Sequence, residues 1–194
     1  MKYLLTGILL LSTMAGHSQL TVTVEWFPLV AGPSSDTIYY NSDKKLDWDD
    51  FKGTPQSRNI ASAITASGFG YSMSMKSLGK RMDITISVYC FFNKSTSWVK
   101  RGMKTDYALK HEQHHFDITY YSTCQFIKKL KAGDFNRNNY NEMVDKIYDE
   151  AYAELEKLQN QYDGETKNGQ LKDVQATWNE KIDDLIATLP KGLQ

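Results

Sequence analysis

An α+β fold, an N-terminal antiparallel β-sheet followed by three helices, is predicted by the order of hydrophobic patterns along the chain. Period-2 alternation of apolar residues fills the stretch before Trp98, and helical stripes fill the stretch after Thr105. Strands first and helices afterwards favour α+β over a doubly wound α/β arrangement. No repeat and no long linker divides the chain, so one domain is expected.

The first residues read as a leader rather than as part of that domain. Met1-Lys2 gives a short positive start, and Tyr3 through Leu11 is an apolar run too short to span a bilayer. Ala15-Gly16-His17-Ser18 then offers small residues at the spacing a signal peptidase accepts. Cleavage after Ser18 is expected, leaving residues 19–194 as an exported domain, periplasmic or secreted. No Cys lies near that site to carry a lipid, and no later stretch approaches the roughly 20 apolar residues of a spanning helix.

Thr21–Trp26 and Thr37–Tyr40 are the first expected strands, separated by Pro28 and Gly32-Pro33-Ser34-Ser35. Residues 62–75 alternate next, with Ala63, Thr65, Phe69, Tyr71, Met73 and Met75 on one side. Met82, Ile84, Ile86, Val88, Cys90 and Phe92 then alternate with Asp83, Thr85, Ser87, Tyr89 and Phe91. The break at Ser77-Leu78-Gly79-Lys80 has the size of a turn, so these two runs predict a hairpin.

Leu109, Phe116, Tyr120 and Ile127 mark a first helix from Thr105 to about Leu130, which Gly133 ends. Lys128, Lys129 and Lys131 suit the negative end of its dipole. A second helix carries Tyr140, Val144, Ile147, Ala151, Leu155, Leu158 and Tyr162. A third carries Leu171, Val174, Trp178, Ile182, Leu185 and Leu189, with Pro190 as its stop.

Composition excludes several roles. The chain has 23 basic and 23 acidic residues, so no basic field exists to attract nucleic acid. An apolar fraction of 41% with only 4 Pro excludes a disordered or low-complexity chain. Cys90 and Cys124 fit either a disulfide formed after export or two buried free thiols.

Chemistry concentrates in one window. Beyond residue 18 every His lies in His111-Glu112-Gln113-His114-His115, a His-Glu-x-x-His pattern on the first helix. His111 and His115, one turn apart, project from one face and suit a single Zn²⁺. Glu112 lies about 100° around the helix from His111, placed to act as general base on a water at the metal. The bland alternative is a solvated helix face with ordinary surface histidines. His114 and Asp117 point away from the metal face, which predicts a structural or surface His and a structural ion pair or hydrogen bond.

A catalytic zinc needs a third protein ligand, here a carboxylate or a Cys. An antiparallel helix pair would bring Gln161-Tyr162-Asp163-Gly164-Glu165-Thr166 near His111. Asp163 is the first choice and Glu165 the next. Otherwise both are solvated residues of a turn capped by Gly164.

The run His111-Glu112-Gln113-His114-His115-Phe116-Asp117-Ile118 resembles a bacterial family of predicted secreted zinc-dependent proteases, domain of unknown function family 922. Leu46-Asp47-Trp48-Asp49-Asp50-Phe51-Lys52-Gly53 resembles its N-terminal Leu-x-Trp-x-Asp-Phe-x-Gly segment. Ser97-Trp98, Tyr162-Asp163-Gly164-Glu165-Thr166, Gln175 and Trp178 resemble its later landmarks. The resemblance implies zinc dependence and peptide-bond hydrolysis. It departs at Asn168, where the family pattern commonly has His before Gly169. Were that His the third ligand, zinc binding would be weak; with Asp163 as ligand the change matters little. Trp48, Phe51 and Trp98 read as core or loop-pinning aromatics rather than substrate contacts.

Two functions follow as expectations. The first is an exported zinc metallopeptidase of zincin-like fold, with His111, His115 and Asp163 as ligands and Glu112 as base. Its partner is a peptide or protein substrate, held as an added strand at a sheet edge. A Tyr or Arg that the sequence does not identify would assist at the oxyanion. The second is a non-catalytic envelope module that keeps the fold and a structural metal.

Overall fold

The computed structural model describes residues 19–27, 32 and 34–189. The expected leader and its cleavage site, and the expected breaks at Pro28, Pro33 and Pro190, lie outside the described residues.

The sheet is built on β5 (Arg81–Asn93), whose even-numbered residues from Met82 to Phe92 are buried, as its alternation predicts. β4 (Ser67–Leu78) pairs antiparallel with it, and the two-residue connection has Gly79 at φ 57°. The predicted hairpin is present, with strands reaching into the expected turn. Along the other edge lie β1 (Gln19–Trp26) and β2 (Thr37–Tyr39), at successive parts of β5. β2 is antiparallel to β5, but β1 is parallel to it. The expectation of an antiparallel sheet is therefore corrected to a mixed one. Alternation fixes which face of a strand is buried and carries no direction, and the long chain between β1 and β5 permits a parallel crossover.

The run over residues 62–75 also divides. β3 (Ala63–Ile64) pairs with β6 (Trp98–Val99) in a small second sheet, and β4 starts only at Ser67. At the break the Ala66 N–H donates to Ser97 Oγ at 2.9 Å instead of to a neighbouring strand. A hydroxyl captures the backbone there, which the hydrophobic pattern does not reveal.

Three helices follow the sheet, the first packed on it and the other two packed on the first and on each other. α1 (Asp106–Ala132) is capped by Thr105, whose hydroxyl accepts from the Ala108 N–H at 3.1 Å, and ends at Gly133 as expected. α2 (Tyr140–Thr166) and α3 (Lys172–Ala187) follow. α2 runs past Gly164, which is not its cap; Lys167 and Asn168, at φ 53° and 51°, turn the chain instead. Asp163 thus sits within the last turn of α2 rather than in a loop.

α1 packs on β4, β5, α2 and α3, and residues 40–46 reach over another side. From His111 to Tyr120 every residue of α1 is buried. The motif is therefore no solvated helix face. Phe51 and Trp98 are buried, and Trp48 packs on Phe51 at 4.9 Å, so these aromatics pin the core and its covering loop. Cys90 and Cys124 are buried free thiols of one apolar cluster, and burial raises both, Cys124 to about 11. Among the described residues no helix is long and apolar enough to cross a membrane.

Candidate metal centre

α1 and α2 bring His111, His115 and Asp163 to one point. Asp163 Oδ1 lies 3.2 Å from His111 Nε2 and 3.0 Å from His115 Nε2, and the two Nε2 atoms are 3.2 Å apart. A tetrahedral zinc with bonds of about 2.0–2.1 Å spaces its ligands about 3.3 Å apart, so the triangle needs only slight opening. The three residues could hold a metal ion.

The surroundings fix the rings for that task. His111 Nδ1 faces Gln175 Oε1 at 2.8 Å, and His115 Nδ1 faces Gln159 Oε1. Gln175 Nε2 donates to Tyr162 Oη at 2.6 Å and to Asn179 Oδ1 at 2.7 Å. Gln159 Nε2 donates to the His115 carbonyl at 2.8 Å. With both amide nitrogens so engaged, each Oε1 must accept, and each imidazole carries its hydrogen on Nδ1. Both Nε2 lone pairs are then left facing Asp163, the arrangement that supporting groups impose around metal ligands. Tyr162 stacks on His111 at 4.6 Å, and Gly169 closes the other side. A Cβ at Gly169 would stand 3.3 Å from His111 Nδ1, on a backbone whose φ of 77° already favours glycine.

Two histidine lone pairs and a carboxylate in such contact demand a proton or a cation. Burial pushes the His115 imidazolium down, but the hydrogen bond and charge of Asp163 outweigh it and raise His115 to about 9. Burial raises Asp163, yet its hydrogen bonds to His111 and His115 hold it well below the usual carboxylate range. In the metal-free protein this pairing stabilises fully below the ordinary imidazole value of 6.5, while Asp163 stays ionised, and fades as pH rises through about 9. A metal ion held here would have to displace that proton. We expect metal affinity to weaken about tenfold per pH unit as pH falls from 9 toward 7. Competition with a chromogenic chelator at several pH values measures this; a flat profile would show that no proton is displaced.

The remaining motif residues divide as their positions on the helix imply. Glu112 is buried, and its Oε2 accepts from Thr65 Oγ1 at 2.7 Å. Gln113 and Asp117 face the opposite way. Gln113 Oε1 accepts from the Leu46 N–H at 2.8 Å, and Asp117 receives Tyr40 Oη at 2.8 Å and Gln113 Nε2 at 2.9 Å. Lys45 and His114 each lie 3.4 Å from the Asp117 carboxylate. His114 is buried and structural, not a surface residue. Glu165 lies outside the ligand group: it accepts from Trp178 Nε1 and Gln161 Nε2, both at 2.8 Å, and so ties α2 to α3.

The site opens into a cleft of about 560 Å³, with residues 61–65 on one wall and α2 on the other. His111, His115, Asp163 and Glu112 all line it, as does Asn168. Tyr107, one turn before His111, reaches across to donate to the Gly169 carbonyl at 2.6 Å. Gln159 and Thr65 had no sequence signal beyond position. Gln159 lies one turn before Asp163 on the same helix face, and that offset is the one clue that could have found it. No protein-family model, curated protein or solved structure matches this chain.

Proposed function

We propose that this chain is an exported zinc-dependent peptidase of zincin-like arrangement. The observation that carries the reading is the convergence of His111 Nε2, His115 Nε2 and the Asp163 carboxylate in an open cleft beside the buried Glu112. Nitrogen and carboxylate donors at tetrahedral spacing suit zinc, and three protein ligands leave a position for reaction. Export rests on the leader-like residues 1–18.

When bound, zinc supplies Lewis acidity, which acidifies a water and polarises a carbonyl. Glu112 accepts the proton of that water and passes it to the leaving amine. Thr65 holds one Glu112 oxygen, which fixes the direction of the other. Gln175 and Gln159 hold the histidine rings against rotation, and Tyr162 prevents His111 from tilting. The β3 wall offers backbone beside the cleft for a peptide laid in extended form.

Purified protein dialysed against zinc should retain close to one equivalent by elemental analysis. It should cleave a denatured protein such as casein, lose that activity to a chelator, and regain it with zinc. Protein that retains no zinc, or cleaves as well after chelation, would defeat the proposal.

A further inference from the structure

The α2 wall carries more than the metal ligand. Tyr152, Glu156, Gln159 and Asp163 succeed one another at helical spacing along the cleft. Beyond the cleft, and sharing Tyr152 and Glu156 with it, lies a second hollow of about 280 Å³ bordered by Tyr148, Asp149 and Ala153. Tyr148 and Tyr152, which both border it, stack with ring centroids 6.2 Å apart. Glu156 and Asp149 are exposed carboxylates with no ion pair among the described residues. No Lys or Arg is among the described residues that line either space.

Two unpaired carboxylates and two tyrosines bordering one side-chain-sized hollow match the chemistry of a bound ammonium or guanidinium. The charge would be met by Glu156 and Asp149, and the aromatic faces add cation–π attraction. Glu156 precedes Asp163 by seven residues, about 10 Å along the helix, on nearly the same face. An extended peptide covers that distance in about three residues. We propose that this hollow is the subsite for a Lys or Arg side chain of a polypeptide lying in the metal cleft, about three residues from the bond at the metal. Glu156 is its principal counter-ion and Tyr152 its platform. The proposal rests on the peptidase reading and names the substrate class: basic rather than acidic segments.

The test is binding, not turnover. Full-length protein carrying Glu112→Gln, with and without zinc, is titrated against fluorescein-labelled, terminally blocked peptides of Gly, Ala and Ser that differ only in one Lys, Ala or Glu. An Ala peptide with a free amino terminus completes the set. The Lys peptide should bind about tenfold tighter than the blocked Ala peptide, and the Glu peptide weaker still. Glu156→Gln should erase the preference and Glu156→Lys reverse it. An unchanged order in Glu156→Lys, no peptide binding at all, or a free-amine Ala peptide that equals the Lys peptide would each overturn the subsite. Zinc content and hydrolysis are read separately, so a failed peptidase reading remains distinguishable from a failed subsite.

Discussion

Asp163→Ala is expected to lose zinc affinity by well over the roughly 10–100-fold typical of residues that merely support a ligand. Its Oδ1 contacts both histidine nitrogens, at 3.2 and 3.0 Å, so its removal leaves two imidazoles and no anion. A two-histidine site holds a divalent cation weakly. The same substitution removes the group that raises His115, so the His115 resonance of metal-free protein should titrate well below its value of about 9. Glu165→Ala is the control: its carboxylate serves Trp178 and Gln161, and zinc affinity should stay within a few-fold of wild type. Chelator competition at one pH, with NMR titration of the histidines, checks both variants. Wild-type affinity in Asp163→Ala would remove Asp163 from the site, and a large loss in Glu165→Ala alone would move the ligand there.

Much of this site was legible because its parts are local. His111 and His115 declare themselves by a four-residue offset on a helix that the apolar stripe already predicts. Asp163 required one further step, the antiparallel pairing of α1 and α2, and polar side chains near a helix end made the search short. The geometry of α2 differs in detail, since the helix continues through Gly164 and turns at two non-glycine residues in the left-handed region. That shift strengthens the site: a ligand inside a helical turn is held by backbone hydrogen bonds and by Tyr162 beside it.

Other features were hidden because partners distant in sequence create them. Nothing in the period-2 pattern tells β1 that it will run parallel to β5, because direction depends on the connection and not on the buried face. Thr65 sat within an apparent strand, yet its hydroxyl is held by Glu112 and the strand breaks beside it. His114 looked free to be a surface residue until residues 40–46 were folded over that side of α1. Gln159 and Gln175 look like ordinary polar helix residues; only the histidines they face give them a role.

Glu112→Gln should lower hydrolysis by about 10²–10⁴-fold while leaving zinc content unchanged. That loss corresponds to about 3–5 kcal/mol of transition-state stabilisation. The substitution keeps size and shape, and the Gln carbonyl can still accept from Thr65 Oγ1, so the buried position loses no hydrogen bond. What disappears is an oxygen able to take a proton from water and return it to an amine. The proposed ligands His111, His115 and Asp163 are untouched, so a parallel metal titration should superimpose on that of wild type. If instead Glu112→Gln lost zinc together with activity, Glu112 would be a ligand and not a base. If it kept both, Glu112 would not be the base; a zinc-loaded wild type with no hydrolysis to lose would make the non-catalytic envelope module the better account. Thr65→Val sharpens the distinction. It frees the Glu112 carboxylate without altering its charge, so it should reduce kcat with little change in KM or zinc content, by less than Glu112→Gln does.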